Sequence, residues 1–512
     1  MLVKVFGAAV QGIDATLITI EVDVNRGTKF FLVGLPDNAV KESHERLHSA
    51  IHYIGYRFPR QQVTINMAPA DIKKEGSAYD LPIAIGMLAG SEQIVTNNLS
   101  DYVIMGEVSL DGSLQPIRGV LPIAIMAKQQ GFKGFILPQA NAKEAAAVDG
   151  LEVYGMVNLS EVIEFLNGQR QVEPLRIDAQ EEFFNHLQQY DLDFADVKGQ
   201  ENVKRALEIA AAGGHNIIMV GPPGAGKSML AKRLPSILPP LTLQEALETT
   251  KIHSVAGVLD NKDSLVTVRP FRSPHHTISD IALVGGGTNP QPGEISLAHN
   301  GVLFLDELPE YKRSALEVMR QPLEDRKICI SRAKNTVEYP ASFMLVAAMN
   351  PCPCGHYGDP NHACTCTPTM VHKYLSRISG PLLDRIDLQI EILPLPFDKL
   401  TQHQPAEHSE NIRQRVVRAR EIQAQRYKDN PEIYCNAQMT SKMLRQYAQI
   451  DDSSMMVLKA AMERFHLSAR AYDRILKVAR TIADLEESET IKVNHIAEAV
   501  GYRNLDREGW GG

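Results

Sequence analysis

The 512-residue sequence has no uninterrupted apolar run that approaches the roughly 20 residues a helix needs to cross a bilayer. Its opening segment, MLVKVFGAAVQGIDATLITIEVDV, alternates apolar and polar residues and carries charges, which is not the pattern of a secretory signal. Long internal repeats and low-complexity tracts are also missing from the sequence. We therefore expect a protein without membrane spans or a secretory leader, located in the cytoplasm.

An excess of positive charge is missing as well. The chain carries 53 Lys and Arg residues against 61 Asp and Glu residues, a formal net charge of -8. The protein as a whole therefore does not attract nucleic acid, and any such binding must depend on local basic surfaces. With 44% hydrophobic and 22% charged residues, the composition is that of a globular protein of about two to four domains.

Cysteine is scarce, yet four of the six cysteines lie close together in AAMNPCPCGHYGDPNHACTC. In a reducing compartment, clustered cysteines are more often metal ligands or catalytic thiols than disulfides. Two tight pairs, Cys352-x-Cys354 and Cys364-x-Cys366, have the composition of a structural zinc site, although the one-residue spacing is tighter than usual. His356 and His362 are not needed to complete four ligands. Free thiols and a redox pair remain alternative interpretations.

Hydrophobic periodicity divides the chain into four segments. Residues 1–168 alternate strand patterns such as TLITIEVDV, QQVTINMAP and DYVIMGEVSL with helical patterns, which predicts one α/β domain. Polar residues 169–190 are typical of a linker, and the α/β pattern restarts over 191–397. Residues 398–512 are helical and Arg-rich, with amphipathic helices predicted at 440–448, 452–466, 468–486 and 493–500.

The segment NIIMVGPPGAGKSMLAKRL carries the clearest chemical signal. A short apolar strand runs into a glycine-rich loop and then a helix, which is the context of a phosphate-binding loop. Lys227 can reach the β- and γ-phosphates of a nucleotide, and the Ser228 hydroxyl can bind Mg²⁺. Lysine and serine at these positions serve no purpose in turn geometry. The predicted ATP-binding residues are Gly221, Pro222, Pro223, Gly224, Ala225, Gly226, Lys227 and Ser228.

A second element, GVLFLDELPE, supplies two acidic side chains at the end of a buried strand. Asp306 would hold Mg²⁺ through water, and Glu307 would orient the water that attacks the nucleotide. An acidic pair after a strand can also cap a helix. The phosphate-binding loop upstream favours the catalytic interpretation.

With these motifs, residues from about 190 to 500 resemble the AAA+ ATPases. DFADVKGQENVKRALEIAAAGG looks like the segment that borders adenine, so the resemblance assigns Val197 and Gly199 to nucleotide binding. FMLVAAMN looks like the strand that ends in the first sensor, Asn350. SGPLLDRIDLQIEI looks like the arginine-finger segment, with Arg385 reaching the nucleotide of a neighbouring subunit. HLSARAYDRILKVARTIADLE looks like the second sensor, with Arg470 at the matching position.

An arginine that acts across a subunit boundary implies a ring, which the resemblance makes a hexamer. More specifically, VRPFRSPHHTISDIALVGGGTNPQPGEISLAHNGVLFLDE and the MNPCPCG segment resemble the YifB/ComM family of magnesium-chelatase-like AAA+ ATPases, nearly throughout the chain. This resemblance implies a Lon-protease-like α/β domain at the N-terminus, a P-loop core with a parallel sheet, and a C-terminal helical lid.

The Lon-like domain lacks the residues that proteolysis requires. IKKEGSAYDLPIAIGML looks like the Lon turn that holds a nucleophilic serine, but Ala78 stands at that position and Ser77 lies one residue before it. GSLQPIRGVLPIAIMAK looks like the segment of the activating lysine, where Leu121 stands instead. A serine needs a neighbouring base to become a nucleophile. We therefore expect a non-proteolytic domain.

The remaining question is the substrate of the motor. In the related AAA+ proteins, hairpins point into the pore of the ring; the matching segments here are about 269–292 and ISRAKNTVEYP, where Arg332 and Lys334 lie near a tip. Such basic tips suit a phosphate backbone, although solvated loops have the same composition. The resemblance favours single-stranded or branched DNA, with branch migration during recombination of incoming DNA in natural transformation and recombination proteins as partners. A chaperone-like or chelatase-type motor acting on a protein, or an ATP-gated metal-binding protein, are the alternatives.

Overall fold

The computed structural model describes most of the chain. The described residues are 1–94, 97–178, 183, 190–260, 263–287, 290–331, 336–359, 362–394, 406–430 and 432–503. They form two compact units, one comprising Met1–Leu187 with Thr242–Thr267 and the other Gln188–Leu241 with Val268–Gly512. Residues 242–267 thus fold with the first unit, although they lie inside the sequence segment expected to form the ATPase core.

The first unit is built on a mixed seven-stranded sheet. In spatial order its strands are Phe30–Val33, Gln62–Ala68, Asp14–Asn25, Leu2–Gln11, Tyr102–Ile104, Gly134–Pro138 and Glu152–Met156. Ile18, Ile20 and Val22 alternate with polar neighbours and are fully buried, because successive side chains of a strand face opposite sides of the sheet. The alternation of apolar and polar residues in the sequence therefore corresponds to a sheet that packs one face against the hydrophobic core.

Helices cover this sheet. They are Asn38–Lys41, Ser43–Tyr53, Asp80–Gly90, Val120–Gln129, Ala142–Ala146, Leu159–Leu166 and Leu243–Ala256. Every residue of Asp80–Gly90 is buried, as expected of a helix that is apolar on all sides. The helical segment over residues 38–53 is divided at Glu42. DYVIMGEVSL contributes two short strands with Gly106 between them, whose N–H bonds to the Ala78 carbonyl at 2.8 Å.

The second unit contains a parallel five-stranded sheet. In spatial order its strands are Phe271–Arg272, Val302–Leu305, Met344–Met349, Ile217–Val220 and Leu388–Glu391. The three central strands are buried along their whole length, as strands covered on both faces must be. Because the strands are parallel, their carboxyl ends lie at one edge of the sheet, and the loops that follow them meet there.

Helices and two hairpins surround this sheet. The helices of the core are Glu201–Gly213, Lys227–Arg233, Asp280–Val284, Glu294–Leu297, Arg313–Val318, Arg320–Asp325, Pro368–Leu375 and Gly380–Leu383. The hairpins pair Gly285–Gly286 with Gln291–Pro292, and Lys327–Ser331 with Thr336–Pro340. The C-terminal helices are Ser409–Arg426, Ser441–Tyr447, Asp452–Arg464, Ala469–Leu485 and Val493–Gly501, at the places that the periodicity predicts. Among the described residues, no helix combines the length and apolar character needed to cross a membrane.

Candidate nucleotide-binding site

The phosphate-binding loop follows the buried strand Ile217–Val220 and leads into the helix Lys227–Arg233. Gly224 and Gly226 have φ angles of +80° and +89°, a left-handed conformation that glycine adopts without strain. Gly221 is required for a different reason: a Cβ there would lie 2.4 Å from the Ile392 carbonyl oxygen. The glycines of the sequence motif are therefore needed by the backbone itself.

Lys227 and Asn350 lie side by side although they are far apart in sequence. The Lys227 ammonium donates to the carbonyls of Gly221 and Pro222 at 2.6 and 2.9 Å, and to Asn350 Oδ1 at 3.0 Å. The register explains this, because Val220 pairs with Met349 and both strands end at the same level. Burial lowers the pKa of Lys227, opposed by the charges of Asp306 and Glu307. The two side chains assigned to the terminal phosphates thus share one location.

Ser228 and Asp306 form the second contact of the site. The Ser228 hydroxyl donates to Asp306 Oδ2 at 2.6 Å, and the Glu307 amide donates to Asp306 Oδ1 at 2.9 Å. A hydroxyl and a carboxylate oxygen are ligands that Mg²⁺ accepts beside water and phosphate oxygens. These two side chains therefore fit a magnesium ion bound with a nucleotide.

Glu307 follows Asp306 with its backbone in the left-handed region, at a φ of +52°, and 56% of its side chain is exposed. Its carboxylate pairs with His276, whose Nδ1 lies 3.2 Å from Oε2. Sequence reasoning missed this histidine. The only signal for it in the sequence was its position in the segment VRPFRSPHHTISD. A linear pattern does not show that residue 276 lies beside the end of the strand that precedes Glu307.

The segment expected to border adenine reaches the same edge of the sheet. Val197 is 1% exposed in the core, and Gly199 adopts a φ of +58°. The neighbouring Gln200 donates through Nε2 to the Leu393 carbonyl at 2.9 Å, next to the residue whose carbonyl lies against Gly221. This segment therefore lies near the phosphate-binding loop. Its contact with adenine stays a prediction.

Arg385, the expected arginine finger, is folded against its own unit. Its side chain is 9% exposed, with Nη2 2.5 Å from Glu324 Oε1 and Nη1 donating to the Pro381 carbonyl at 2.6 Å. Glu324 belongs to the helix that precedes the basic hairpin. Action on a neighbouring subunit would require Arg385 to exchange Glu324 for the phosphate of that subunit.

Arg470 and Arg474 lie one turn apart on the helix Ala469–Leu485 and differ in environment. Arg470, the expected second sensor, is 65% exposed and its Nη1 donates to Asp384 Oδ2 at 3.4 Å. Arg474 is mostly buried and pairs with Asp387, which also binds His215. Burial opposes ionisation of Asp387, but the charge of Arg474 and the hydrogen bond with His215 hold its pKa far below the usual range. Arg474 thus anchors the helix to the sheet, while Arg470 is free of the core.

The four clustered cysteines converge. The Sγ atom of Cys352 lies 3.3 Å from that of Cys354 and 3.7 Å from that of Cys364, and all four sulfurs lie within 4.8 Å of one another. Four thiolates around a tetrahedral zinc, with Zn–S bonds of about 2.3 Å, are separated by about 3.8 Å. None of the cysteines forms a disulfide. Amides of His356 and Thr365 lower the pKa of Cys354 to about 5. The donor set fits a structural zinc.

The cysteine cluster is defined as Cys352, Cys354, Cys364 and Cys366, and the loop that carries it lies against the phosphate-binding loop. A Cβ at Gly355 would meet Cδ of Pro223 at 2.6 Å, so only glycine lets the cysteine loop lie this close to the phosphate-binding loop. A second group of possible ligands lies within the same loop: His356 and His362 each place Nδ1 3.2 Å from Oδ2 of Asp359. The cysteine loop thus packs against the phosphate-binding loop at Pro223.

In the first unit, one position of the Lon dyad is fully buried and the other is partly buried. Leu121 is fully buried, and its amide donates to the buried Glu144 carboxylate at 2.8 Å. Ala78 is partly buried and packs against the core of this unit, while the Ser77 hydroxyl donates to Glu107. Among the described residues, the Ser77 hydroxyl bonds to this carboxylate and no lysine contacts it. The absence of a proteolytic dyad stays a prediction that these contacts support.

The basic hairpin tip, with Arg332 and Lys334, lies outside the described residues. Its stem, Lys327–Ser331 paired with Thr336–Pro340, is present, and the side chains of Lys327 and Glu338 at its foot pair at 3.1 Å. The other expected hairpin, 269–292, is shorter than predicted: its first residues join the central sheet as Phe271–Arg272, and the hairpin begins at Gly285.

Three known protein families match separate parts of the chain. The family described as Magnesium chelatase, subunit ChlI, matches residues 193–400. Subunit ChlI of Mg-chelatase matches residues 20–141, and the Magnesium chelatase, subunit ChlI C-terminal family matches residues 406–503.

Individual proteins match along the whole chain. Competence protein ComM of Haemophilus influenzae is 45% identical over 508 residues, covering 98% of this chain and 97% of the relative. Protein YifB of Escherichia coli is 45% identical over 503 residues, covering 98% of this chain and 96% of the relative. A more distant similarity, 24% identity over 61% of this chain and 40% of the relative, is to the DNA replication licensing factor mcm7 of Schizosaccharomyces pombe. Lon protease 2 of Bacillus subtilis is 31% identical over 27% of this chain and 26% of its own length.

Proposed function

Because the chain belongs to the YifB/ComM family of magnesium-chelatase-like AAA+ ATPases, we propose that its ATPase drives a ring along single-stranded or branched DNA. In this role it promotes branch migration while incoming DNA recombines during natural transformation. The observation that carries the proposal is the 45% identity, along nearly the full length of both chains, to a protein named for competence. The similarity to a DNA replication licensing factor supports DNA over other polymers. We assign this activity to the cytoplasm.

Hydrolysis requires one water to attack the γ-phosphorus of ATP while the bond to the β-phosphate oxygen breaks. Glu307 accepts a hydrogen bond from that water and orients it, and Asn350 and Lys227 contact the γ-phosphate that is transferred to the water, with ADP as the leaving group. Ser228 and Asp306 would hold Mg²⁺, which would neutralise charge on the phosphate oxygens. Val197 and Gly199 border the adenine. Each role uses a side chain or backbone group at the carboxyl edge of the parallel sheet.

The ring is a homohexamer in which Arg385 stabilises the transition-state charge of the neighbouring subunit. Arg470 acts as the second sensor, consistent with its exposure on the helical lid. A ring also gives the hairpins a common pore, where Arg332 and Lys334 contact the DNA backbone without reading its sequence. Recombination proteins are the expected partners.

The cysteine cluster holds one structural zinc. Zinc bound by four thiolates stabilises a loop that is too polar to pack by itself, and it adds no chemistry to hydrolysis. Gly355 lies against Pro223, and Asn350 precedes Cys352 by two residues, so the bound loop stiffens both sides of the γ-phosphate site. The cysteine cluster therefore supports catalysis indirectly, by holding the residues around the γ-phosphate in place.

Cys354→Ser or Cys364→Ser should remove zinc and lower the rate of ATP hydrolysis, because the loop then no longer holds Pro223 and Asn350 in place. Nucleotide binding through Lys227 should survive better. Elemental analysis of protein purified without chelator should give about one zinc per subunit. Cys329→Ser is the matched control, since Cys329 is exposed and lies outside the cluster. A metal-free preparation with full activity rejects the site, and a ratio near two assigns metal to His356, Asp359 and His362 as well.

The DNA assignment is tested by the ATPase rate with single-stranded, duplex and branched DNA. We expect branched DNA to stimulate hydrolysis most. Replacing Arg332 and Lys334 together with alanine should weaken DNA binding for all sequences alike and reduce its salt dependence, because each removes a phosphate contact. Lys327→Ala at the foot of the same hairpin is the control, since Lys327 already pairs with Glu338. No stimulation by any DNA contradicts the proposal.

The alternative is a motor that remodels a protein partner. The matches to magnesium chelatase motor subunits over all three parts of the chain favour it. In that case the ATPase would respond to a folded protein substrate and ignore DNA of every structure. The same rate measurement therefore separates the two functions.

A further inference from the structure

The carboxylate of Glu307 has one side-chain partner among the residues that the structure describes, and it is His276. The Glu307 backbone has a left-handed φ, and its N–H donates a hydrogen bond to the Asp306 carboxylate. The Glu307 side chain, in contrast, extends from the surface with 56% of its area exposed. A long exposed glutamate samples several rotamers unless something holds it. The contact at 3.2 Å from His276 Nδ1 to Glu307 Oε2 supplies that hold.

Two aromatic rings contact His276. The His275 ring lies against it with centroids 4.1 Å apart, and the edge of Tyr311 approaches at 6.4 Å and 76°. The Tyr311 hydroxyl donates to the Pro274 carbonyl at 2.6 Å, which ties the chain two residues before His276 to the segment that follows Glu307. Tyr311 is 4% exposed, so this bond is protected from water. The imidazole is therefore fixed relative to the strand end that carries Glu307.

We propose that His276 is a positioning residue for Glu307 in ATP hydrolysis. The imidazole Nδ1–H donates to Oε2, which leaves Oε1 to accept a hydrogen bond from the attacking water. Fixing one oxygen selects the rotamer in which the other faces the nucleotide, so a larger fraction of bound ATP meets an oriented water. This inference rests on the proposed role of Glu307 in activating water, and it adds a residue that the sequence motifs do not assign.

Steady-state kinetics of His276→Ala and His276→Asn test the proposal. The alanine variant should lose about tenfold or more in kcat with little change in KM or in nucleotide binding, because ground-state contacts of ATP are untouched. The asparagine amide can replace Nδ1–H, so that variant should keep kcat within about threefold of wild type. His372→Ala, an exposed histidine outside the site, is the control. Wild-type kcat in His276→Ala, or an asparagine variant as slow as alanine, overturns the role.

Tyr311→Phe tests whether the anchor acts through His276. Losing the bond to the Pro274 carbonyl should lower kcat in the wild-type background but not in His276→Ala, since the group being positioned is then gone. Independent, multiplying effects contradict the anchor. Glu307→Gln separates this inference from the proposed function: if that variant is inactive while His276→Ala is normal, only the positioning role fails. Adding His276→Ala to Glu307→Gln should cause no further loss.

Discussion

Glu307→Gln is expected to lower ATP turnover by about a hundredfold or more while ATP binding stays intact. The glutamine amide keeps the shape of the side chain but is a much weaker hydrogen-bond acceptor and cannot take a proton, so the attacking water is no longer activated. Lys227, Ser228 and Asp306 are unchanged and still bind nucleotide and Mg²⁺. The variant should therefore accumulate as an ATP-bound assembly, measured by phosphate release together with direct nucleotide binding.

Lys227→Ala provides the contrast. Lys227 approaches both the loop carbonyls and Asn350, at the place assigned to the β- and γ-phosphates, so its loss should weaken nucleotide binding itself. Two variants in one site thus fail at different steps. Normal turnover in Glu307→Gln would disprove the assignment of the catalytic glutamate, and unaltered ATP affinity in Lys227→Ala would disprove that of the phosphate-binding loop.

Arg385→Ala should lower turnover by about a thousandfold, the scale expected when an arginine that stabilises phosphoryl transfer is removed. The Arg385 side chain is 9% exposed and pairs with Glu324 of its own subunit. Among the described residues, Arg385 makes no contact with Lys227 of the same chain. Action across a subunit boundary then predicts complementation. Mixing Arg385→Ala with Glu307→Gln subunits should restore part of the activity, because some interfaces combine an intact Glu307 with an intact Arg385.

The mixing experiment includes its own control. Arg385→Ala mixed with Lys227→Ala should also recover activity, whereas two variants of the same face, Glu307→Gln with Lys227→Ala, should not. Assembly must be checked for each mixture by size. Mixtures that assemble but remain as inactive as their parents would show that Arg385 does not act in trans, and its pairing with Glu324 would then be its structural role.

The sequence predicted the local parts of the site because each part is a contiguous segment. The strand and glycine-rich loop around Lys227, the acidic pair Asp306 and Glu307, and the C-terminal helices depend on neighbouring residues, whose spacing fixes backbone geometry and periodicity. The mixed α/β class and family membership followed from the same motifs and are confirmed by the sheets and by the full-length relatives.

Contacts between segments far apart in the chain could not be predicted from the sequence and depend on the tertiary structure. The parallel register brings Asn350 to Lys227, and the parallel pairing of Phe271–Arg272 with Val302–Leu303 brings His276 to Glu307. The cysteine loop lies against Pro223. The packing of residues 242–267 with the first unit is another such case. The sequence alone determined the chemistry available at each position, because side-chain identity and local spacing are linear properties. Which of those groups meet depends on strand order and packing, and these arise only when the whole chain buries its core.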